Sequence, residues 1–134
     1  MPKAGAILMC DYPSCFVPPE MVKTRPVIVV GPALPGRSDL VTVVPISGSS
    51  PKVIFDYHCE LPADVLPTFM RLDGKPRWAK CDMVNTLSLA RLHPVQGPRD
   101  AKTRKRSYEY LFLPASLLDR VRWGVARSLG ISVD

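Results

Sequence analysis

Arg25-Pro26-Val27-Ile28-Val29-Val30 and, after a short connection, Leu40-Val41-Thr42-Val43-Val44-Pro45-Ile46-Ser47 are the stretches on which the fold turns. β-Branched residues are stiff at χ1 and pack well on a pleated surface. Unbroken runs of them therefore form strands that are covered on both faces or set in a barrel wall. The connection carries Pro35-Gly36 and Ser38-Asp39, whose backbone preferences close a hairpin.

Outward from this hairpin, Gly5 to Tyr12 reads as a first strand. It is followed by a proline-rich loop from Pro13 to Thr24 that no regular element can hold, and so long a loop in so short a chain is usually functional. Downstream, Val53 to Cys59 reads as a fourth strand and Trp78 to Val84 as a fifth, with irregular chain from Leu61 to Pro76 between them. After a short piece from Thr86 to Leu92, residues 96–106 form a charged turn and Tyr108 to Leu113 returns to strand. Only the end is helical: Pro114 suits a helix start, Leu117, Leu118, Val121, Val125 and Leu129 recur at helical spacing, and Gly130 is a stop. Fifteen prolines and eight glycines favour brief strands over long helices. The expected fold is mainly β, five to seven short antiparallel strands curled into a small barrel closed by a C-terminal helix, as one domain over residues 1–134.

No run of about 18 apolar residues is present, so no membrane span is expected. The first residues lead into a short apolar stretch carrying Asp11, which argues against a secretory signal and for a cytoplasmic protein. Cys10, Cys15, Cys59 and Cys81, even with His58 and His93, lack the spacing of a metal site or disulfide framework, so they are expected as small buried apolar residues and no metal or cofactor is expected. Eighteen basic against twelve acidic residues give a formal charge of +6, which favours an anionic partner, nucleic acid first.

Four groups of residues have the chemistry to meet such a partner. Glu20 and Arg25 can act on one phosphodiester, the guanidinium neutralising phosphoryl oxygens while the carboxylate handles a hydroxyl, although a surface ion pair explains the same spacing. Pro45 is expected to stop the ladder of the third strand and deliver Ser47 into a Gly48-Ser49-Ser50 turn that offers a hydroxyl and free backbone N–H groups to a phosphate, or is just a turn. Trp78, Lys80 and Asp82 alternate on one strand face, as a base or acid with a stacking platform or as a cross-strand ion pair beside a rim tryptophan. Arg99, Lys102, Arg104, Lys105 and Arg106 crowd together against Asp100 alone, as a solvated loop or a basic hairpin that tracks a nucleic-acid backbone.

Taken together, Gly5-Ala6-Ile7-Leu8-Met9-Cys10-Asp11-Tyr12, Pro19-Glu20-Met21-Val22-Lys23-Thr24-Arg25-Pro26-Val27-Ile28-Val29-Val30, Val43-Val44-Pro45-Ile46-Ser47 and Ala79-Lys80-Cys81-Asp82-Met83-Val84 resemble the PemK/MazF family of toxin endoribonucleases in order and separation. The resemblance covers nearly the whole chain, and Arg-Pro before a β-branched strand is its most specific part.

The resemblance implies an SH3-like barrel of the PemK/MazF/CcdB type, a homodimer, and cleavage of single-stranded RNA without a metal. The ribose 2′-hydroxyl attacks the adjacent phosphate and leaves a 2′,3′-cyclic phosphate and a 5′-hydroxyl. A cognate antitoxin protein is the implied partner. Arg25 matches the family's catalytic arginine, Ser47 stands where threonine is commonest, Glu20 matches the glutamate of some members, and Asp82 matches the aspartate base of PemK-like members. Lys80 replaces their arginine, and a lysine cannot make the bidentate phosphate contact. The expected catalytic set is therefore Arg25, Ser47 and either Glu20 or Asp82, with RNA contacts from Lys80, Lys23, Trp78, Arg91, Arg104 and Lys105. Two other readings are a non-catalytic toxin on the same barrel, resembling a gyrase poison and dependent on the C-terminal helix, and an RNA-binding module with degenerate chemistry.

Overall fold

The computed structural model describes residues 2–12, 17–20 and 24–132. Its central hairpin joins β2 (Arg25–Val29) to β3 (Leu40–Ser47), with Val27 opposite Pro45 and Val29 opposite Val43. On the other side of β2 lies β1 (Ala6–Cys10), with Cys10 opposite Arg25. Beyond β3 come β5 (Arg77–Lys80) and then β4 (His58–Leu61). Three further short strands, β6 (Asn85–Ser88) on β3 and β7 (Leu92–His93) and β10 (Leu111–Phe112) on β1, complete a mainly β, antiparallel sheet. A separate two-stranded hairpin, β8 (Val95–Arg99) with β9 (Arg106–Glu109), stands off it.

Alternation along the strands sorts the apolar residues onto two faces. Ile7, Ile28, Val44, Ile46, Cys59, Leu61 and Ala79 face one core, which is covered by Val121 with Leu117, Leu118 and Val125 of the C-terminal helix. Ala6, Cys10, Tyr12, Val27, Val29, Val41, Val43 and Leu87 form a second cluster on the opposite face. Arg25 shares the parity of Val27 and Val29, and Ser47 that of Val41 and Val43, so both belong to this second face at its open end.

The helices are α1 (Thr68–Arg71) and α2 (Ala115–Ser128). α2 begins after Pro114 and ends as the sequence predicts: Gly130 has φ +76°, Ile131 N donates to the carbonyl of Ala126 at 2.9 Å and Gly130 N to that of Arg127 at 3.1 Å, a Schellman closure. Arg120 of α2 donates to the carbonyls of Asp56 (2.8 Å) and His58 (3.0 Å), and Arg127 pairs with the Asp56 carboxylate at 2.9 Å.

Five local expectations are corrected. The fourth strand covers His58–Leu61 rather than Val53 to Cys59, because Phe55 to His58 closes as a turn. In it His58 N donates to the Phe55 carbonyl and Phe55 N to His58 Nδ1, both at 3.0 Å. Val53, Ile54 and Phe55 are exposed in consequence. The fifth strand stops at Lys80, where Cys81–Met83 forms a 3₁₀ turn. The charged turn begins as strand β8, and the strand after it breaks at Tyr110 so that β9 and β10 pair with different partners. The irregular stretch holds α1. Finally, Pro45 does not end its strand. Pairing on that side jumps from Ile46–Ala79 to Val43–Asn85, three steps along β3 against six along its neighbour, so the 3₁₀ turn bulges away where Pro45 lacks its N–H.

Candidate active site

A residue before proline is biased to extended backbone, so Arg25 is pre-set to open β2. Its side chain is half-buried, and its Nε is buried with no hydrogen-bond partner among the described residues. Buried guanidinium N–H groups are normally satisfied, and one left open suits an anion supplied from outside. Continuing the β2–β3 register by two residues from Val27–Pro45 sets Arg25 opposite Ser47. Ser47 is buried, and its Oγ accepts from Ser49 N at 3.1 Å, which fixes the oxygen and leaves the hydroxyl proton free to donate.

An open groove of about 520 Å³ is lined by Tyr12, Pro19, Glu20, Asp82, Val84 and Asn85 among others. Both candidate carboxylates thus line the same groove. The 3₁₀ turn lifts Asp82 off the strand, so it does not share a strand face with Lys80 and Trp78 as the alternation predicts. Glu20 belongs to the long loop, is exposed, and accepts from Val17 N through Oε2 at 3.1 Å. Tyr12, two residues beyond the Cys10 that faces Arg25, joins groove to arginine: its ring is buried and its hydroxyl donates to Asn85 Oδ1 at 3.4 Å. Burial raises the Tyr12 hydroxyl well above the ordinary phenol range, so it stays protonated as a donor.

The expected RNA contacts divide. Lys80 is half-buried at the end of β5, opposite His58. Trp78 is corrected: it is only 7% exposed and meets His58 edge-on at 6.4 Å, so its ring offers no stacking face. Arg91 is half-buried and donates through Nη1 to the Asp11 carbonyl at 3.0 Å, tying down the chain just beyond β1. Arg104 and Lys105 are exposed at the tip of the β8–β9 hairpin. There Asp100 accepts from Lys102 N and Thr103 N, both at 2.8 Å, which holds its carboxyl below the usual range and occupies it within its own turn. Lys23 lies outside the described residues, as does Cys15.

Burial pushes the Cys10 thiol up to about 11 and Cys81 to about 12, and raises Cys59 as well, so all three are protonated core residues at neutral pH. Tyr12 and Asn85 escaped the sequence reading. Tyr12 had a signal, a polar-tipped aromatic at a strand end before a long loop, but Asn85 had none.

Residues 3–108 match the family described as PemK-like, MazF-like toxin of type II toxin-antitoxin system. The chain belongs to this family. Its members are endoribonuclease toxins, and the matched span contains Glu20, Arg25, Ser47 and Asp82. A protein of Haemophilus influenzae, described as uncharacterized, is 31% identical over 144 residues, covering 98% of this chain and 92% of that one. MazF from Deinococcus radiodurans shares the fold at TM-score 0.64 and 21% identity, with 97% of each chain covered. The MazE-MazF structure from the same organism matches at TM-score 0.58 and 20% identity, covering 98% of this chain and 97% of that one.

Proposed function

We propose that this PemK/MazF-family chain is a metal-independent endoribonuclease toxin that cuts single-stranded RNA by attack of a ribose 2′-hydroxyl on its own phosphate. The observation that carries this is the half-buried Arg25, its Nε open, at a strand mouth opposite Ser47, in a molecule whose two candidate carboxylates line a single groove. In the step, the O2′–P bond forms and the P–O5′ bond breaks, giving a 2′,3′-cyclic phosphate. The O2′ proton goes to a carboxylate, and O5′ takes one from solvent. Arg25 and the Ser47 hydroxyl neutralise the phosphoryl oxygens as charge develops, where preorganised donors act most strongly.

Asp82 is the better-placed base. It sits on a turn braced between two strands of the sheet, whereas Glu20, equally exposed, rides on the long loop and caps Val17 N. A base held in place loses less to orientation. Lys80 supports the phosphate as a point charge, and Arg104 and Lys105 track the backbone from the hairpin.

The partners follow the same family logic. Edge strand β10 exposes Phe112 beside Tyr110, and Leu129 and Ile131 are exposed after α2, apolar surface that a second copy in a cytoplasmic homodimer would cover. A cognate antitoxin protein would bind as MazE binds MazF in the Deinococcus radiodurans structure. The test is incubation with long single-stranded RNA in EDTA and analysis of the ends: cyclic phosphates and 5′-hydroxyls are expected, and a requirement for added divalent metal would sink the reading.

A further inference from the structure

Away from the carboxylate groove, two shallow pockets of about 350 and 320 Å³ lie side by side and share Phe69, Gln96 and Arg106. The first is also lined by Thr24, His93 and Pro94, and the second by Leu72, Gly97 and Pro98. Phe69, the one aromatic side chain common to both, is 49% exposed. Its neighbours hold it there. Met70 is buried in the core, while Thr68 gives both its backbone N–H (3.0 Å) and its hydroxyl to the Glu109 carboxylate of β9. Arg106 donates through Nη1 to Gln96 Oε1 at 2.9 Å, which fixes the guanidinium along the groove and leaves the Gln96 amide N–H groups as donors.

One end of this groove is Thr24, directly before Arg25, and the other is the β8–β9 hairpin with its five exposed cations. The adjoining acids are engaged: Asp11 accepts from the Thr24 hydroxyl at 2.9 Å and lies 3.4 Å from His93 Nε2, and Glu109 is held by Thr68. A half-exposed aromatic ring shared by two adjoining hollows, with cations alongside, is what a single strand of nucleic acid requires of a protein: stacking for bases and charge for phosphates.

We infer that this groove is a second nucleotide subsite, in which single-stranded RNA running from the Arg25 site toward the hairpin stacks a base on Phe69 and sets a phosphate against Arg106. The inference rests on the endoribonuclease reading and adds to it a required length of substrate on one side of the cut. Neither the Arg25–Ser47 pair nor the carboxylate groove includes any of these residues.

The test compares a minimal RNA, the cut dinucleotide with one flanking nucleotide on each side, with RNAs lengthened by three nucleotides on the 5′ or the 3′ side. Extension on one side is expected to raise kcat/KM by about 10-fold, the factor that about 1.4 kcal/mol of base stacking supplies. Phe69→Ala should bring that ratio close to one, Phe69→Trp should restore it, and Phe55→Ala, a phenylalanine of similar exposure (53%) outside the groove, should keep it. Equal rates for all lengths in the unaltered protein, or an undiminished ratio in Phe69→Ala, overturn the subsite while leaving the endoribonuclease reading intact. Binding gives a readout independent of cleavage. RNA carrying 2-aminopurine at successive positions, bound to Arg25→Ala protein, should be quenched at one flanking position, and the quench should vanish in Arg25→Ala/Phe69→Ala. Absence of any such position also overturns it. If Phe69→Glu lowers the oligomeric mass while the length preference persists, the groove is an interface between copies and the inference falls.

Discussion

At the scale of single residues, the choice of base turns on how differently two carboxylates of one groove are held. Asp82 stands on a short turn whose preceding residue, Cys81, is buried under α2, so its position is set by the core. Both side chains are exposed, but Glu20 rides on the long loop and one of its oxygens is occupied by Val17 N. If Asp82 takes the O2′ proton, Asp82→Asn should lower kcat by about 10²–10⁴-fold, the usual contribution of a positioned general base. Glu20→Gln should cost less than about 10-fold, because it removes charge and a loop contact but no proton transfer. Single-turnover rates on one RNA separate the two, and the reverse order would transfer the role to Glu20. Arg25 and Ser47 were legible as a pair only because the strings around them could be matched. Spacing alone left Arg25 as half of a surface ion pair, and it is the register of β2 on β3 that brings the two together.

Among the elements, the strands with β-branched runs were legible because both their faces are buried, and α2 because its apolar spacing, its proline start and its Gly130 stop agree. What was not legible depends on contacts between distant segments. Val53 to Phe55 has strand composition, yet Phe55 N binds His58 Nδ1 and α2 pins Asp56 through Arg127, so the strand starts later. Likewise, the turn at Cys81–Met83 exists because β3 pairs with both β5 and β6 with three residues left over, a fact about register that no local pattern carries. It moved Asp82 into the groove and away from the Trp78 face.

The same junction makes a prediction about stability. Alanine in mid-helix is favoured over glycine by about 1 kcal/mol. At Gly124, however, a Cβ would lie 2.7 Å from Cys81 Sγ and 2.8 Å from the Tyr57 carbonyl oxygen. Backbone cannot give way cheaply, and overpacking costs about 1–3 kcal/mol. Gly124→Ala should therefore lower Tm by about 3–5 °C for each kcal/mol by which the clash exceeds the propensity gain. Thermal unfolding checks it, and a raised Tm would show that α2 does not pack as described.

For the whole molecule, the charge of +6 is concentrated where it can work on a phosphate chain, since Asp100 is turned into its own loop while the neighbouring cations point to solvent. Binding of single-stranded RNA should then weaken steeply with salt. Arg104→Ala with Lys105→Ala should flatten the plot of log K against log salt by about 0.7 for each phosphate that these two side chains neutralise. A slope unchanged from that of the unaltered protein would return the hairpin tip to the solvated surface. Both cores, the antiparallel sheet with its C-terminal helix and the family assignment say what kind of molecule this is, and the proposed activity rests on Arg25.

The direct test of that claim is the chemistry of the product ends. RNA cut by the purified protein in EDTA should carry 2′,3′-cyclic phosphates and 5′-hydroxyls, and Arg25→Ala, which removes the proposed phosphate donor, should slow the cut by at least about 10²–10³-fold. Cleavage that persists undiminished in Arg25→Ala, or that leaves 5′-phosphates, would contradict it.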